Sequence, residues 1–220
     1  MVDEKMENPW TEIETTVKTV NCKGESIQVT GVKAIKNSQN GAILVYPFEI
    51  AKAEVKQIAE SLDIYPRDVG TLLMLVAKPG NFNEGDVFYK YHLQKMLFYL
   101  WKTLDTAGYG EALPRDNFIP AENGPVPEQL NCDLERFEAK KLIKTSSVKT
   151  ENDHHAKKIV LTASGKKLAE ELWCTLCEPY KKITLEVKER IYPMSPESVR
   201  HMVHREYPEY RDTYVKNDIE

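Results

Sequence analysis

The sequence predicts an α+β protein in which a small antiparallel β-meander precedes a larger, mostly helical part. Three observations lead to this fold class. Apolar residues alternate with polar ones near the N-terminus, several later segments repeat their apolar residues every three or four positions, and a strand pair with a polar tip lies among those segments. We predict two parts, residues 1–66 and residues 67–220.

The meander is predicted from the two-residue period of residues 11–46. Ile13 and Val17 alternate with polar neighbours, and a turn separates this strand from a second β-rich run over Ser26–Ile35. Asn40-Gly41 is a strong hairpin signal before a third short strand, Ala42–Tyr46. The sequence therefore predicts three consecutive antiparallel strands.

Helical periodicity follows the meander. We predict helices over Glu49–Leu62, Arg67–Ala77, Tyr89–Leu104 and Pro127–Lys141, the last with a proline at its first position. The first two could form a helix-turn-helix. However, residues 70–77 read GTLLMLVA, and an apolar surface all round predicts burial rather than contact with base edges.

A β-hairpin is predicted after these helices. Leu142–Val148 and Lys157–Leu161 are the strands, residues 150–156 form a polar tip, and Thr162 or Ser164 can cap the next helix. Three helices, a hairpin and a capped helix over residues 67–173 give the order of a winged-helix domain. We therefore predict a winged helix with long C-terminal helices.

The C-terminal helix carries an apolar seam that Pro179 should kink or divide. Ser195-Pro196 begins a further helix. We predict the seam as a homodimer surface, with packing on the chain's own domain as the alternative. The predicted dimer residues are Leu168, Leu172, Leu176, Tyr180 and Ile183.

The hairpin and its exit helix resemble those of PadR- and MarR-like regulators. Leu142-Ile143, the polar tip and the string Val160–Leu168, VLTASGKKL, match the interval that those families write as G-x-I followed by L-T-x-x-G. Lys141 stands near the position where those families usually have glycine.

Three blocks in order resemble the YwgA-like and Panacea (SocA antitoxin-like) group. They are His92–Tyr99 (HLQKMLFY), Asn123–Pro127 (NGPVP), and Leu161-Thr162 with Gly165. The segment Val199–Asp212 is similar to the tails of archaeal members. The resemblance covers residues 67–215 and implies a winged-helix-like fold with a role in regulation or toxin neutralisation.

Charge favours double-stranded DNA as a partner in one region and opposes it in another. The chain has a net charge of −4, but residues 139–167 hold eight lysines against two acids. Hairpin lysines could contact phosphates, and the last helix before the hairpin could contact base edges. The predicted DNA-binding residues are Gln129, Asn131, Arg136, Lys140, Lys144, Lys149, Lys157 and Lys158.

The same helix also carries four acids, which oppose its approach to a polyanion. They are Glu128, Asp133, Glu135 and Glu138. The favoured function is a DNA-binding transcriptional regulator. The alternative is a protein-interaction module, such as an antitoxin or adaptor, that uses the scaffold without binding DNA.

Catalysis, cofactors and metal are not predicted. The sequence has no G-x-S-x-G, Walker A or G-x-G-x-x-G motif. Cys174 and Cys177, one turn apart, could face one ligand. A structural zinc needs four ligands, and only folding could bring His154-His155 or His201 and His204 to them. The four cysteines are too sparse to predict a disulfide scaffold.

Membrane insertion is not predicted either, because no stretch approaches about 20 apolar residues. The first ten residues, MVDEKMENPW, are polar and acidic, unlike a secretory signal or a transit peptide. We therefore predict a cytoplasmic protein.

Overall fold

A computed structural model describes residues 8–78, 88–109, 118–149 and 155–211. It confirms the α+β class, with helices packed around small antiparallel sheets. The elements are β1 (Trp10–Val20), β2 (Ser26–Asn37), β3 (Ile43–Val45), α1 (Pro47–Ser61), α2 (Pro66–Val76), β4 (Phe88–Tyr89), α3 (Lys90–Thr106), β5 (Phe118–Ile119), β6 (Val126–Pro127), α4 (Leu130–Ala139), β7 (Ile143–Lys149), β8 (His155–Leu161), α5 (Ala163–Thr175), α6 (Glu178–Ile191) and α7 (Pro196–Glu206).

The first sheet is the predicted meander, in the order β1-β2-β3. A bulge between Thr15 and Val17 interrupts the pairing of β1 with β2. Val29 and Val32 of β2 pack with Ala53 of α1 in a small apolar cluster. The meander therefore covers one of its faces with the helix that follows it, as a three-stranded sheet requires.

The large core is built around α2 and α3. Every residue from Asp68 to Val76 is buried, which confirms the burial predicted from the GTLLMLVA string. Leu93, Met96 and Leu100 of α3 pack in the same core. Because α1 contributes Val55 to this core and Ala53 to the meander cluster, it contacts both parts. The division at residue 66 stays a prediction.

The second sheet has the order β4-β8-β7 and contains the predicted hairpin. Ile143 and Ile159 are its buried members. Thr162 caps α5, as predicted, by accepting a hydrogen bond from the Gly165 amide at 3.0 Å. A Cβ on Gly165 would lie 1.8 Å from the Leu142 carbonyl oxygen, so only glycine allows this close approach.

Prolines account for two boundaries, one predicted and one not. Pro179 lies in the first turn of α6, so the long helix is divided there, in agreement with the sequence. Pro127, however, was predicted at a helix start and instead pairs with Phe118 in a short β-ladder. Helix α4 begins three residues later, at Leu130.

The predicted dimer seam faces inward, so the structure does not support it as a dimer surface. Its helices wrap around the large core, and packing on the chain's own domain, the alternative, accounts for the apolar period. Leu168 is only partly buried. The buried members are Leu172, Leu176, Tyr180 and Ile183.

Within the described residues, no helix has the length and apolar character needed to cross a membrane.

Candidate interaction surface on helix α4 and the hairpin

An ionic network holds α4 against the start of α2. The Arg67 guanidinium donates to both carboxylate oxygens of Asp133, at 2.9–3.2 Å. Arg136 donates to Asp133 at 2.9 Å and also to Asp68. Both guanidinium groups lie over the Tyr65 ring, at 4.5 and 4.4 Å from its centre. The two helices are thus joined by paired charges and a shared aromatic contact.

Asp68 is the buried centre of this network. Its side chain is fully buried, and its carboxylate also accepts a hydrogen bond from the Tyr65 amide at 2.9 Å, which closes the first turn of α2. Burial raises the pKa of Asp68, against the lowering effect of the Tyr65 amide and of Arg136. The Arg136 guanidinium therefore compensates a carboxylate that would otherwise be costly to bury.

Lys140, just after α4, is also paired within the chain. Its ammonium contacts the carbonyl oxygen of Asp63 and lies 2.8 Å from the carboxylate of the same residue. This pairing lowers the pKa of Asp63. Arg136 and Lys140 were both predicted to reach base edges. Instead, Arg136 pairs with Asp68 at the start of α2, and Lys140 pairs with Asp63 in the turn before it.

The outward side of α4 carries neutral and acidic groups. Gln129 and Asn131, predicted as base contacts, are exposed, together with Cys132 and Glu135. Glu138, near the end of α4, contacts the hairpin. Its carboxylate accepts hydrogen bonds from the amide and hydroxyl of Thr145 in β7, both at 3.0 Å. These bonds lower the pKa of Glu138 and attach α4 to the hairpin.

The hairpin separates its predicted lysines onto two faces. Residues paired across an antiparallel ladder share a face, and so do alternate residues along a strand. Lys158 pairs with Ser146, which places it on the same face as Lys144. Lys157 pairs with Ser147, which places it with Lys149 on the opposite face. Lys144 and Lys149 are exposed, whereas Lys157 and Lys158 are half-buried.

Two of the blocks behind the family resemblance meet in the structure. Lys95, from the HLQKMLFY block, is fully buried and donates a hydrogen bond to the carbonyl oxygen of Pro125 in the NGPVP block, at 2.7 Å. Gly124 adopts a φ of +85°, and a Cβ there would lie 3.0 Å from Val203 of α7. Residues of the two blocks that carry the family resemblance therefore pack against each other.

The cysteines differ from the predicted arrangement. Helix α5 ends at Thr175 and Cys177 directly precedes α6, so the two cysteines do not lie on one helix. Cys174 forms a disulfide with Cys22. In the part of the chain that the structure describes, no group of three His, Cys, Asp or Glu side chains could hold a metal ion.

Sequence reasoning missed the acidic partners of α4. Asp133 was counted among the four acids that oppose the approach of the helix to DNA, but it is buried between Arg67 and Arg136. The adjacent Arg67-Asp68 pair at the start of a buried helix was the available signal, because buried charges need partners.

No protein-family model matches the chain, and no curated protein matches it. The assignment to the YwgA-like and Panacea group stays a prediction.

Proposed function

We propose that the chain is a protein-interaction module, of the antitoxin or adaptor type, built on a winged-helix-type scaffold. The observation that carries this proposal is the internal pairing of Arg136 and Lys140 with Asp68, Asp133 and Asp63. Through these pairs the two cations predicted to contact base edges are held by carboxylates of the chain itself, while Gln129, Asn131 and Glu135 are exposed.

The scaffold inference rests on element order and strand pairing. Helices α2, α3 and α4 precede the β7–β8 hairpin, and β4 pairs with β8 to give the order β4-β8-β7. A three-helix unit with a short strand added to a two-stranded wing has this arrangement. The analogy concerns the scaffold alone, since a fold does not determine a function.

Contact between α4 and DNA would be unfavourable for electrostatic reasons. Affinity for duplex DNA comes largely from Lys and Arg side chains that neutralise phosphates. Freeing Arg136 for such a contact would leave Asp68 buried without its cation, and breaking a buried pair costs about 3–5 kcal/mol. A protein surface with donors for Gln129, Asn131 and Glu135 does not carry this penalty.

DNA binding through the hairpin is the second candidate, and the exposed Lys144 and Lys149 favour it. Such contacts would be to the backbone and would not depend on sequence. The division of the four lysines between two faces limits how many can reach one phosphate strand.

Fluorescence anisotropy with labelled duplex DNA, at about 50 and 200 mM salt, separates the two candidates. Phosphate contacts predict binding that weakens steeply over this range and further in a Lys144→Glu/Lys149→Glu variant. The interaction-module proposal predicts no binding at the lower salt concentration. DNA binding that is lost in the charge-reversal variant would overturn it.

Site-specific photo-crosslinking identifies the partner surface directly. A photoreactive residue at Asn131 should give a discrete protein adduct in an extract of the source cells, and the same probe at Lys33, exposed in the meander, should not. The identified partner, once purified, should bind the wild-type chain and lose affinity for an Asn131→Arg/Glu135→Arg variant. Equal affinity for both chains would contradict the placement of the interface on α4.

A further inference from the structure

The meander is covalently attached to α5 by the disulfide between Cys22 and Cys174. The two cysteines are 152 positions apart in sequence, and their Cα atoms are 5.0 Å apart. The Cys22 amide also donates a hydrogen bond to the Cys174 carbonyl oxygen at 3.1 Å. The turn between β1 and β2 therefore lies directly on the C-terminal end of α5.

The two ends of this disulfide have different surroundings. Cys22 lies in an exposed turn, whereas Cys174 is 7% exposed. The Asn21 side chain orders the turn by accepting hydrogen bonds from the amides of Lys23 and Glu25, both at 2.9 Å. A thiol reagent in solution can therefore approach from the Cys22 side.

A third cysteine lies close by, but its thiol is kept protonated. Cys177 lies close to the buried carboxyl group of Glu54 in α1. Burial, and then the charge of Glu54, raise the pKa of Cys177 to about 11. Since the thiolate is the attacking form in disulfide exchange, Cys177 is a poor nucleophile at neutral pH. Opening the disulfide then requires an external thiol.

We propose that Cys22–Cys174 is a redox-controlled link, opened by a dithiol reductant, that sets whether the β1–β2 turn stays on α5. One thiolate of the dithiol attacks the sulfur of Cys22, and the Cys174 thiolate leaves and takes up a proton. The second thiol of the reagent then attacks the mixed disulfide and releases Cys22 as a thiol. Two electrons and two protons pass from the dithiol to the cysteines, and the reagent becomes a cyclic disulfide.

A cleft between α1 and α5 lies beside this link. This cleft, of about 240 Å³, is lined in part by Gln57, Glu171 and Thr175, the last being the neighbour of Cys174. Gln57 also donates to the carbonyl oxygen of Gln28 in β2, at 2.9 Å. Helices α1 and α5 thus form the cleft and also hold the meander, α1 through Gln57 and α5 through Cys174.

The proposal also explains how cellular location would act on the protein. Disulfides persist in oxidising compartments and are rare where glutathione and thioredoxin keep thiols reduced. In a reducing compartment the link would be open, and oxidation would close it.

Hydrogen–deuterium exchange of the full-length protein, in oxidised and reduced dithiothreitol, tests the proposal. Reduction should increase exchange at least tenfold in the β1–β2 turn and the end of α5, and leave α3 unchanged. Alkylation with mass spectrometry should detect Cys22 and Cys174 as free thiols only after reduction.

Two variants provide the controls. Cys22→Ser should show the reduced pattern under both conditions, and Cys177→Ser should respond to reduction as the wild type does. Alkylation of Cys22 and Cys174 without reductant would overturn the proposal, as would unchanged exchange after their complete reduction. If Cys22→Ser folds poorly, hydrogen–deuterium exchange of the wild-type protein at increasing concentrations of reductant still tests the proposal.

Discussion

The ammonium group of Lys95 donates a hydrogen bond to the carbonyl oxygen of Pro125 across 2.7 Å, inside the protein. The lysine is fully buried, and the Tyr91 ring lies 5.2 Å from its nitrogen. Burial lowers the pKa of Lys95 to about 7, with no carboxylate contributing to the shift. The contact joins α3 to the segment that precedes β6, and it buries a basic group.

This shift makes stability depend on pH above neutrality. The pKa of Lys95 in the folded protein, about 7, is below the ordinary lysine pKa of 10.5, so between these values the unfolded chain binds a proton that the folded chain does not. The free energy of unfolding should therefore rise with pH over this range. Each pH unit contributes up to about 1.4 kcal/mol, so we expect a gain of about 2–3 kcal/mol between pH 7 and pH 9.5.

Urea unfolding of wild type and Lys95→Met at pH 7 and pH 9.5 measures this gain. The variant should lose most of the rise, because it has no proton to release at this position. Lys167→Met, at an exposed position of α5, serves as the matched control and should keep the wild-type pH dependence. An equal rise in the free energy of unfolding with pH for wild type and Lys95→Met would contradict the lowered pKa of Lys95.

Gly165→Ala should destabilise the protein strongly. The added Cβ would lie 1.8 Å from the Leu142 carbonyl oxygen, so α5 would have to move away from the chain that enters the hairpin. We expect a loss of about 2–4 kcal/mol, in the range of overpacking and backbone displacement. Ser164→Ala, at the exposed neighbouring position, should change stability by less than about 0.5 kcal/mol. Thermal unfolding of the two variants gives the comparison.

Local patterns in the sequence predicted most of the helices and strands. The bounds of α2 and α3 fall within about two residues of those expected, because an apolar period of three to four residues defines a buried face. The start of α4 was missed because Pro127 pairs with Phe118, a contact that no local pattern contains.

The candidate surface was less predictable because its determinants are distant in sequence. Arg67 and Asp133 are 66 positions apart, and the disulfide joins cysteines 152 positions apart. Composition gave the number of charges on α4 but not their partners. Arg136 was predicted to point outward and donate to DNA, but in the structure it pairs with the buried carboxylates of Asp68 and Asp133.

Lys141→Gly should stabilise the protein. Lys141 has a φ of +57°, in the left-handed region that favours glycine, at the turn from α4 into the hairpin. This is also where PadR- and MarR-like sequences usually have glycine. Relief of the strain should add about 0.5–1 kcal/mol, net of the larger chain entropy of glycine. Lys141→Ala keeps the strained backbone and should show no gain, so chemical denaturation of both variants separates backbone strain from loss of the charge.

Arg136→Ala tests whether this arginine has a structural role or is available to a ligand. The substitution leaves Asp68 buried without its cation, and we expect a loss of about 3–5 kcal/mol. In the Asp68→Asn background the same substitution should cost less, because the buried charge has already been removed. A double-mutant cycle measured by urea unfolding gives this coupling energy, which should exceed about 1 kcal/mol. Gln129→Ala, at an exposed position of the same surface, should leave stability within about 0.5 kcal/mol of wild type. A stable Arg136→Ala variant with no coupling to Asp68 would return Arg136 to the set of residues free to contact DNA.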